Sequence, residues 1–238
     1  MKIPKNTKLL ITGAPRSGTY FTARLLFNLG LNIRHEYLDT HGTVSSIHLL
    51  NTSGFTKVVH QIREPLKSIS SLHKIDWLAQ ELWIDQKRDE NFTGHFKNNL
   101  VSKKSIDSDT IESNWLYFLD KIKDRNLTRK CMKAYICWNE LASEKSDYTY
   151  KLEDILTSSD YFNSWLMSLG LTPEEGDYQK SLKFTKEVDV SNSILSKHTG
   201  SLQIGGVRTS PDLSWEILES LDSGLSQKIK NLTSGFYS

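Results

Sequence analysis

The sequence predicts an α/β fold of three layers, a central parallel sheet flanked by helices, on three observations. A short apolar strand (Leu9, Leu10, Ile11) feeds a turn bounded by Gly13 and Gly18, and a helix follows directly. A second apolar run, Lys57 to Arg63, stops at Glu64-Pro65, where proline suits the first turn of a helix. The first seventy residues thus alternate β-loop-α, β, β-α, the rhythm of parallel strands joined by crossovers.

Each element has a local reason. After the first turn, Phe21, Leu25, Leu26 and Leu29 share one helical face, and Gly30 is placed to end the helix. Leu31 to Glu36 reads as a second strand with a polar end, and Thr43 to Leu50 as a short helix. Ile69 and Leu72 give the helix after Pro65 its buried face. Asp76 to Ser113 is polar and irregular, with the length of a lid or an acceptor-binding insertion. Helical spacing returns at Trp115, Phe118, Leu119 and Ile122, then at Met132, Tyr135, Ile136, Trp138 and Leu141; these aromatics read as core. Tyr148 to Leu152 predicts a strand, Tyr161 to Leu169 a helix ended by Gly170, Ser196 to Pro211 a basic glycine-bearing loop, and Leu213 to Leu232 a final helix. With no repeat, low-complexity tract or linker, residues 1–238 read as a single domain.

Composition narrows the function classes. Thirty Lys and Arg against 28 Asp and Glu leave a formal charge of +2, so no broad field for nucleic acid or membrane is implied, and any positive site is local. The two cysteines, Cys131 and Cys137, suit neither a zinc pair nor a redox motif and read as thiols in a reducing compartment. His35, His41 and His48 match no compact ligand spacing, so no metal is expected. A polar start without an apolar leader segment, and no run of membrane-spanning length, predict a cytoplasmic location.

The chemistry concentrates in the first turn. A strand passing through a glycine-bounded loop to a helix N-terminus offers free N–H groups and the positive end of the macrodipole to an anion. Gly13 and Gly18 have the Walker A separation, but Thr19 follows Gly18 directly and the Walker lysine is missing. The loop's cation is Arg16. Ligands of such sheets collect at the carboxyl ends of the strands, so Arg16 and Arg63 are expected on one rim.

Two motifs resemble those of the sulfotransferases that use 3′-phosphoadenosine-5′-phosphosulfate (PAPS) as donor. Pro15-Arg-Ser-Gly-Thr19 resembles their 5′-phosphosulfate loop, and Arg63 with Ser71, eight residues on, resembles their 3′-phosphate motif. Tyr150-Lys-Leu-Glu-Asp-Ile155, Trp138-Asn139 and Gly205-Gly206-Val-Arg208 are weaker echoes. The resemblance implies a P-loop NTPase-like fold and sulfuryl transfer to a hydroxyl, secondarily an amine, of a small-molecule or carbohydrate acceptor. It implies nucleotide contacts from Pro15, Arg16, Ser17, Gly18, Thr19, Tyr20, Arg63, Ser71 and Arg208, and no metal.

On that reading Arg16 and the amides of Ser17 to Tyr20 stabilise charge on the departing 5′-phosphate, although arginine cannot give that group a proton. The general base is Glu36, at the end of the second strand, or His41. The rival functions are a P-loop kinase of nucleotides or small molecules and a non-catalytic nucleotide-binding relative. Acceptor identity and oligomeric state are not encoded in any motif.

Overall fold

A computed structural model describes residues 1–46, 48–73, 117–195 and 211–237. The acceptor segment expected over Asp76 to Ser113 and the loop bearing Gly205, Gly206 and Arg208 lie outside them.

Five strands form the sheet: β1 (Leu9–Thr12), β2 (Arg34–His35), β3 (Gly42–Val44), β4 (Lys57–Ile62) and β5 (Tyr148–Lys151). Their order is β2-β3-β1-β4-β5 and every pairing is parallel. The predicted α/β architecture is therefore observed. The helices are α1 (Thr19–Asn28), α2 (Pro65–Leu72), α3 (Leu127–Lys145), α4 (Ser159–Ser168), α5 (Asp177–Leu195), α6 (Trp215–Leu221) and α7 (Ser223–Thr233), with residues 117–121 also helical. None of the described helices is long and apolar enough to cross a membrane.

Two apolar clusters form the core, the first holding helices to the sheet and the second holding helices to one another. Leu9, Ile11 and Val59 pack with Leu25 and Leu26 of α1 and with Phe162 and Trp165 of α4. A second cluster joins Ile69 and Leu72 of α2 to Met132, Tyr135, Ile136 and Trp138 of α3, with Phe118, Ile122, Leu218 and Ile229. The expected aromatic core is there: Phe118 and Trp138 meet at 3.9 Å between ring centroids. The chain leaves β1 toward β2 on one side and resumes at β4 on the other, so the strand order reverses at β1. The crevice beyond the carboxyl end of β1 is the switch point where such sheets bind ligands.

Some elements differ from expectation. Thr43 belongs to a strand, β3, because its stretch pairs with the start of β1; only His48–Leu50 turns, as a 3-10 helix. The second strand is reduced to two residues. The last helix is two, since Asp222, with φ of −162°, leaves the helical region and caps α7 by accepting from the Leu225 N–H at 2.9 Å. Helix α5 carried no readable pattern, with Asp177 and Ser181 among its buried residues, yet it sets Phe184 against Phe21 of α1.

One buried polar group stands inside this frame. His60 of β4 bonds Asn139 Oδ1 of α3 through Nε2 at 2.9 Å and Thr149 Oγ1 of β5 through Nδ1 at 3.3 Å. Burial pushes its imidazole down from 6.5 to about 4, partly opposed by the bond to Asn139. The unfolded chain therefore binds this proton more readily than the folded one, so stability falls as pH drops from about 6.5 toward 4. We predict that the urea midpoint of the native protein falls more steeply between pH 7 and pH 4.5 than that of His60→Gln. Parallel pH profiles would remove His60 as the cause.

Candidate functional site

The loop from Gly13 to Gly18 leaves β1 at the switch point, and its shape is imposed by β4. A Cβ on Gly13 would lie 2.3 Å from the Gln61 carbonyl oxygen, so the strand backbone itself excludes a side chain there. At Gly18, φ of 88° and Leu152 Cδ2 at 2.3 Å act together. At both glycines the space a side chain would need is taken, by β4 at Gly13 and by Leu152 at Gly18. The loop is closed by Ser17 N–H donating to the Ala14 carbonyl at 3.0 Å.

Gln61, missed in the sequence, is the clamp. Its amide donates to the Ser17 carbonyl and its Oε1 accepts from Thr22 and from Tyr150, each at 2.6 Å, all out of water. The signal was a glutamine inside an apolar strand, where a buried amide needs partners.

Helix α1 differs from its neighbours at its start. α2, α3, α4, α6 and α7 each have a side chain accepting from their first-turn amides; α1 has none, and no acid lies in its first turn. Its leading N–H groups have no side-chain acceptor among the described residues, the arrangement that receives anions. Beside them the Ser17 hydroxyl is buried without a partner among the described residues.

The two cations converge as expected. Arg63 Nη1 donates to the Arg16 carbonyl at 2.8 Å, and Arg16 Nε donates to Ser71 Oγ at 3.1 Å. Arg16 has a left-handed backbone, φ of 68°, and its guanidinium is pushed below the usual arginine value by desolvation and by the Arg63 charge. Tyr135 of α3 fixes the strand end by donating to the Arg63 carbonyl at 2.9 Å. Pro15 is half-buried in the loop, and Tyr20 at the helix start turns an exposed ring edge-on to His35 at 5.6 Å.

Across the loop, Thr19 Oγ1 and His35 Nε2 are 3.0 Å apart. Burial, reinforced by Arg16 and opposed by Glu36, lowers the His35 pKa. Glu36 follows at the end of β2, also left-handed, with φ of 54°. Its carboxylate accepts from Ser46 N–H at 3.0 Å, from Ser46 Oγ at 2.8 Å and from Ser45 Oγ. Among the described residues, three of roughly four acceptor positions are filled, which orients the group. Ser45 Oγ also meets His48 Nδ1 at 2.8 Å, and Trp138 Nε1 anchors the Ser46 carbonyl at 2.9 Å. Two of the three left-handed non-glycine residues described, Arg16 and Glu36, thus lie on this rim, where stored backbone strain marks functional sites.

His41 does not join them. It precedes Gly42, which pairs with Leu9, and so lies at the amino end of the sheet while the loop leaves the carboxyl end. Its Nδ1 accepts from the Asn32 N–H at 2.8 Å, fixing the ring there. The expectation of His41 as a base is corrected by strand direction. No group of three or more potential metal ligands occurs among the described residues.

No protein-family model matches the chain, and no curated protein matches it. Among solved structures, mouse sulfotransferase SULT7A1 complexed with PAP is similar at 10% identity, over 97% of this chain and 84% of that one, with a TM-score of 0.44.

Replacing Gln61 by Leu strands the Thr22 and Tyr150 hydroxyls and the Ser17 carbonyl. We predict a loss of about 3 kcal/mol or more in chemical unfolding, since each buried unsatisfied group costs roughly 1–3 kcal/mol. A loss under about 0.5 kcal/mol, the range of surface changes, would show that Gln61 does not hold the loop.

Proposed function

We propose that the chain transfers a sulfuryl group from PAPS to a hydroxyl, secondarily an amine, of a small-molecule or carbohydrate acceptor. The observation that carries this reading is the convergence of Arg63, Ser71 and Arg16 beside the uncapped start of α1. Such a rim offers two anion sites, one made of backbone amides and one of side chains, and PAPS carries phosphate-type charge at both ends. The motif resemblance at Pro15 to Thr19 and at Arg63 to Ser71 falls on the same residues.

In this mechanism the amides of Gly18 to Tyr20 and the Thr19 hydroxyl hold the 5′ end, the Ser17 amide being spent on the Ala14 carbonyl, and the positive end of α1 stabilises negative charge as it develops on the departing phosphate. Arg63 and Ser71 hold the 3′-phosphate by charge-assisted and hydroxyl hydrogen bonds. The acceptor oxygen bonds to sulfur as the bond from sulfur to the 5′-phosphate oxygen breaks. The acceptor proton passes to Glu36, whose carboxylate is preoriented by Ser45 and Ser46. His35 bridges the two halves through Thr19 and by lying 3.7 Å from Glu36 Oε1.

The reading predicts a rise in melting temperature with adenosine 3′,5′-bisphosphate and little with ATP–Mg²⁺. The reverse result would favour the kinase. Arg63→Ala should weaken bisphosphate binding by about tenfold or more, the worth of one charge-assisted bond. Glu36→Gln should keep bisphosphate affinity and abolish transfer to acceptors found by mass spectrometry as products heavier by one sulfuryl group. Full turnover by Glu36→Gln would overturn the base assignment. Bisphosphate binding with no transfer by the native protein would leave the non-catalytic relative.

A further inference from the structure

We infer that His35 takes up a proton when a phosphate enters the loop after β1, and that its Nε2–H then turns the Thr19 hydroxyl onto that anion. This rests on the nucleotide reading above and adds to it a titratable cation between the 5′ end and the base.

Thr19 has one hydroxyl proton to place. It opens α1, is only 4% exposed, and its Oγ1 lies 3.0 Å from His35 Nε2. If Nε2 is bare, Thr19 donates to it and shows an incoming anion only lone pairs. If Nε2 carries hydrogen, Thr19 accepts from the ring and its own proton is free for the anion. A charged imidazole has hydrogen on both nitrogens, so it always leaves Thr19 in the donating state.

The surroundings of the ring keep it neutral while the loop is empty and favour charge once an anion is there. Burial holds the His35 pKa below 6.5; Glu36 works against that and Arg16 adds to it. Water still reaches the ring, whose side chain is 31% exposed, so a proton has a route in. Glu36 Oε1 stands 3.7 Å from Nε2, too far for a hydrogen bond, because Ser45 and Ser46 hold its carboxylate. It therefore attracts the proton without taking Nε2 from Thr19. Among the described residues the other charges near the ring are engaged. Arg24 of α1 donates to the Tyr20 hydroxyl at 3.2 Å, and Arg34 of β2 pairs with Asp39 at 3.0 Å. The residue of β3 that pairs with His35 is the apolar Val44.

A phosphate over the first amides of α1 puts negative charge on one side of the imidazole, with Glu36 already on the other. A neutral ring leaves the two anions repelling; an imidazolium between them attracts both. Binding at the 5′ end therefore raises the proton affinity of His35, and by linkage a proton on His35 raises affinity for the 5′ phosphate. Affinity climbs as pH falls through the pKa of the occupied site and levels off under that of the empty one, which lies below 6.5. Arg16 cannot respond in this way, since its guanidinium stays charged.

Calorimetric titration in buffers of different ionisation enthalpy counts the protons taken up. The ligands are adenosine 3′,5′-bisphosphate and adenosine 3′-phosphate. The proteins are native and His35→Gln, whose amide nitrogen replaces the Nε2 donor but does not titrate. Phosphates themselves titrate near pH 6, so the difference between the two proteins is the quantity read. With the bisphosphate, native protein should take up more protons than His35→Gln. Its affinity should gain about threefold or more beyond that of the variant between pH 8 and pH 6. With adenosine 3′-phosphate the two proteins should give matching profiles. NMR titration of the imidazole nitrogens in native protein, which needs no variant, should show His35 charging at higher pH once the bisphosphate is bound. Matching bisphosphate profiles, or a His35 titration unmoved by the bisphosphate, would overturn the inference and spare the nucleotide reading. Excess uptake that persists with adenosine 3′-phosphate would put the linkage at the other end and overturn it equally. Native protein that does not bind the bisphosphate would overturn the reading on which it rests.

Discussion

The parallel pairing of β1 with β4, in the register that sets Thr12 beside His60, is the constraint on which the site depends. One residue further along, Gly13 lies against the Gln61 backbone so closely that no Cβ fits, and the loop turns there. The Gln61 side chain then secures that loop to α1 and β5 through Ser17, Thr22 and Tyr150. Two residues beyond, the same strand ends in Arg63, which holds the carbonyl of Arg16 in the loop. One strand pair thus fixes both of the proposed anion sites and the spacing between them.

Helix α3 does for the outer shell what β4 does for the loop. Its Tyr135, Trp138 and Asn139 reach, in turn, the Arg63 carbonyl, the Ser46 carbonyl and His60. Each bond is side chain to strand end, loop or sheet interior, so packing of one amphipathic helix positions the cationic strand end and the serines around Glu36. The electrostatic pattern follows: guanidinium groups without ion-pair partners among the described residues on one side of the loop, an oriented carboxylate on the other.

Much of this was legible from periodicity and punctuation. Apolar runs bounded by Gly13 and by Glu64-Pro65 marked β1 and β4, and parallel topology alone put Arg16 and Arg63 on a shared rim. What was not legible depended on contacts across the chain. Helix α5 buries polar residues such as Asp177 and Ser181, so it shows no clean apolar face. The Thr43 stretch pairs with β1 despite a helix-like pattern, and the direction of that strand carries His41 to the wrong edge. Gln61 passed without a role inside an apolar run because its three partners come from the loop, α1 and β5. The direction of the Arg16 side chain depends on a left-handed backbone that no local pattern announces.

The central claim is that one adenosine nucleotide lies across this rim with its two phosphates in different kinds of site. A crystal structure of the protein with adenosine 3′,5′-bisphosphate tests it directly. The account predicts the 5′-phosphate over the amides of Gly18 to Tyr20 and the 3′-phosphate within hydrogen-bond reach of Arg63 and Ser71. A nucleotide bound with the phosphates exchanged, or anywhere away from the carboxyl end of β1, would contradict it.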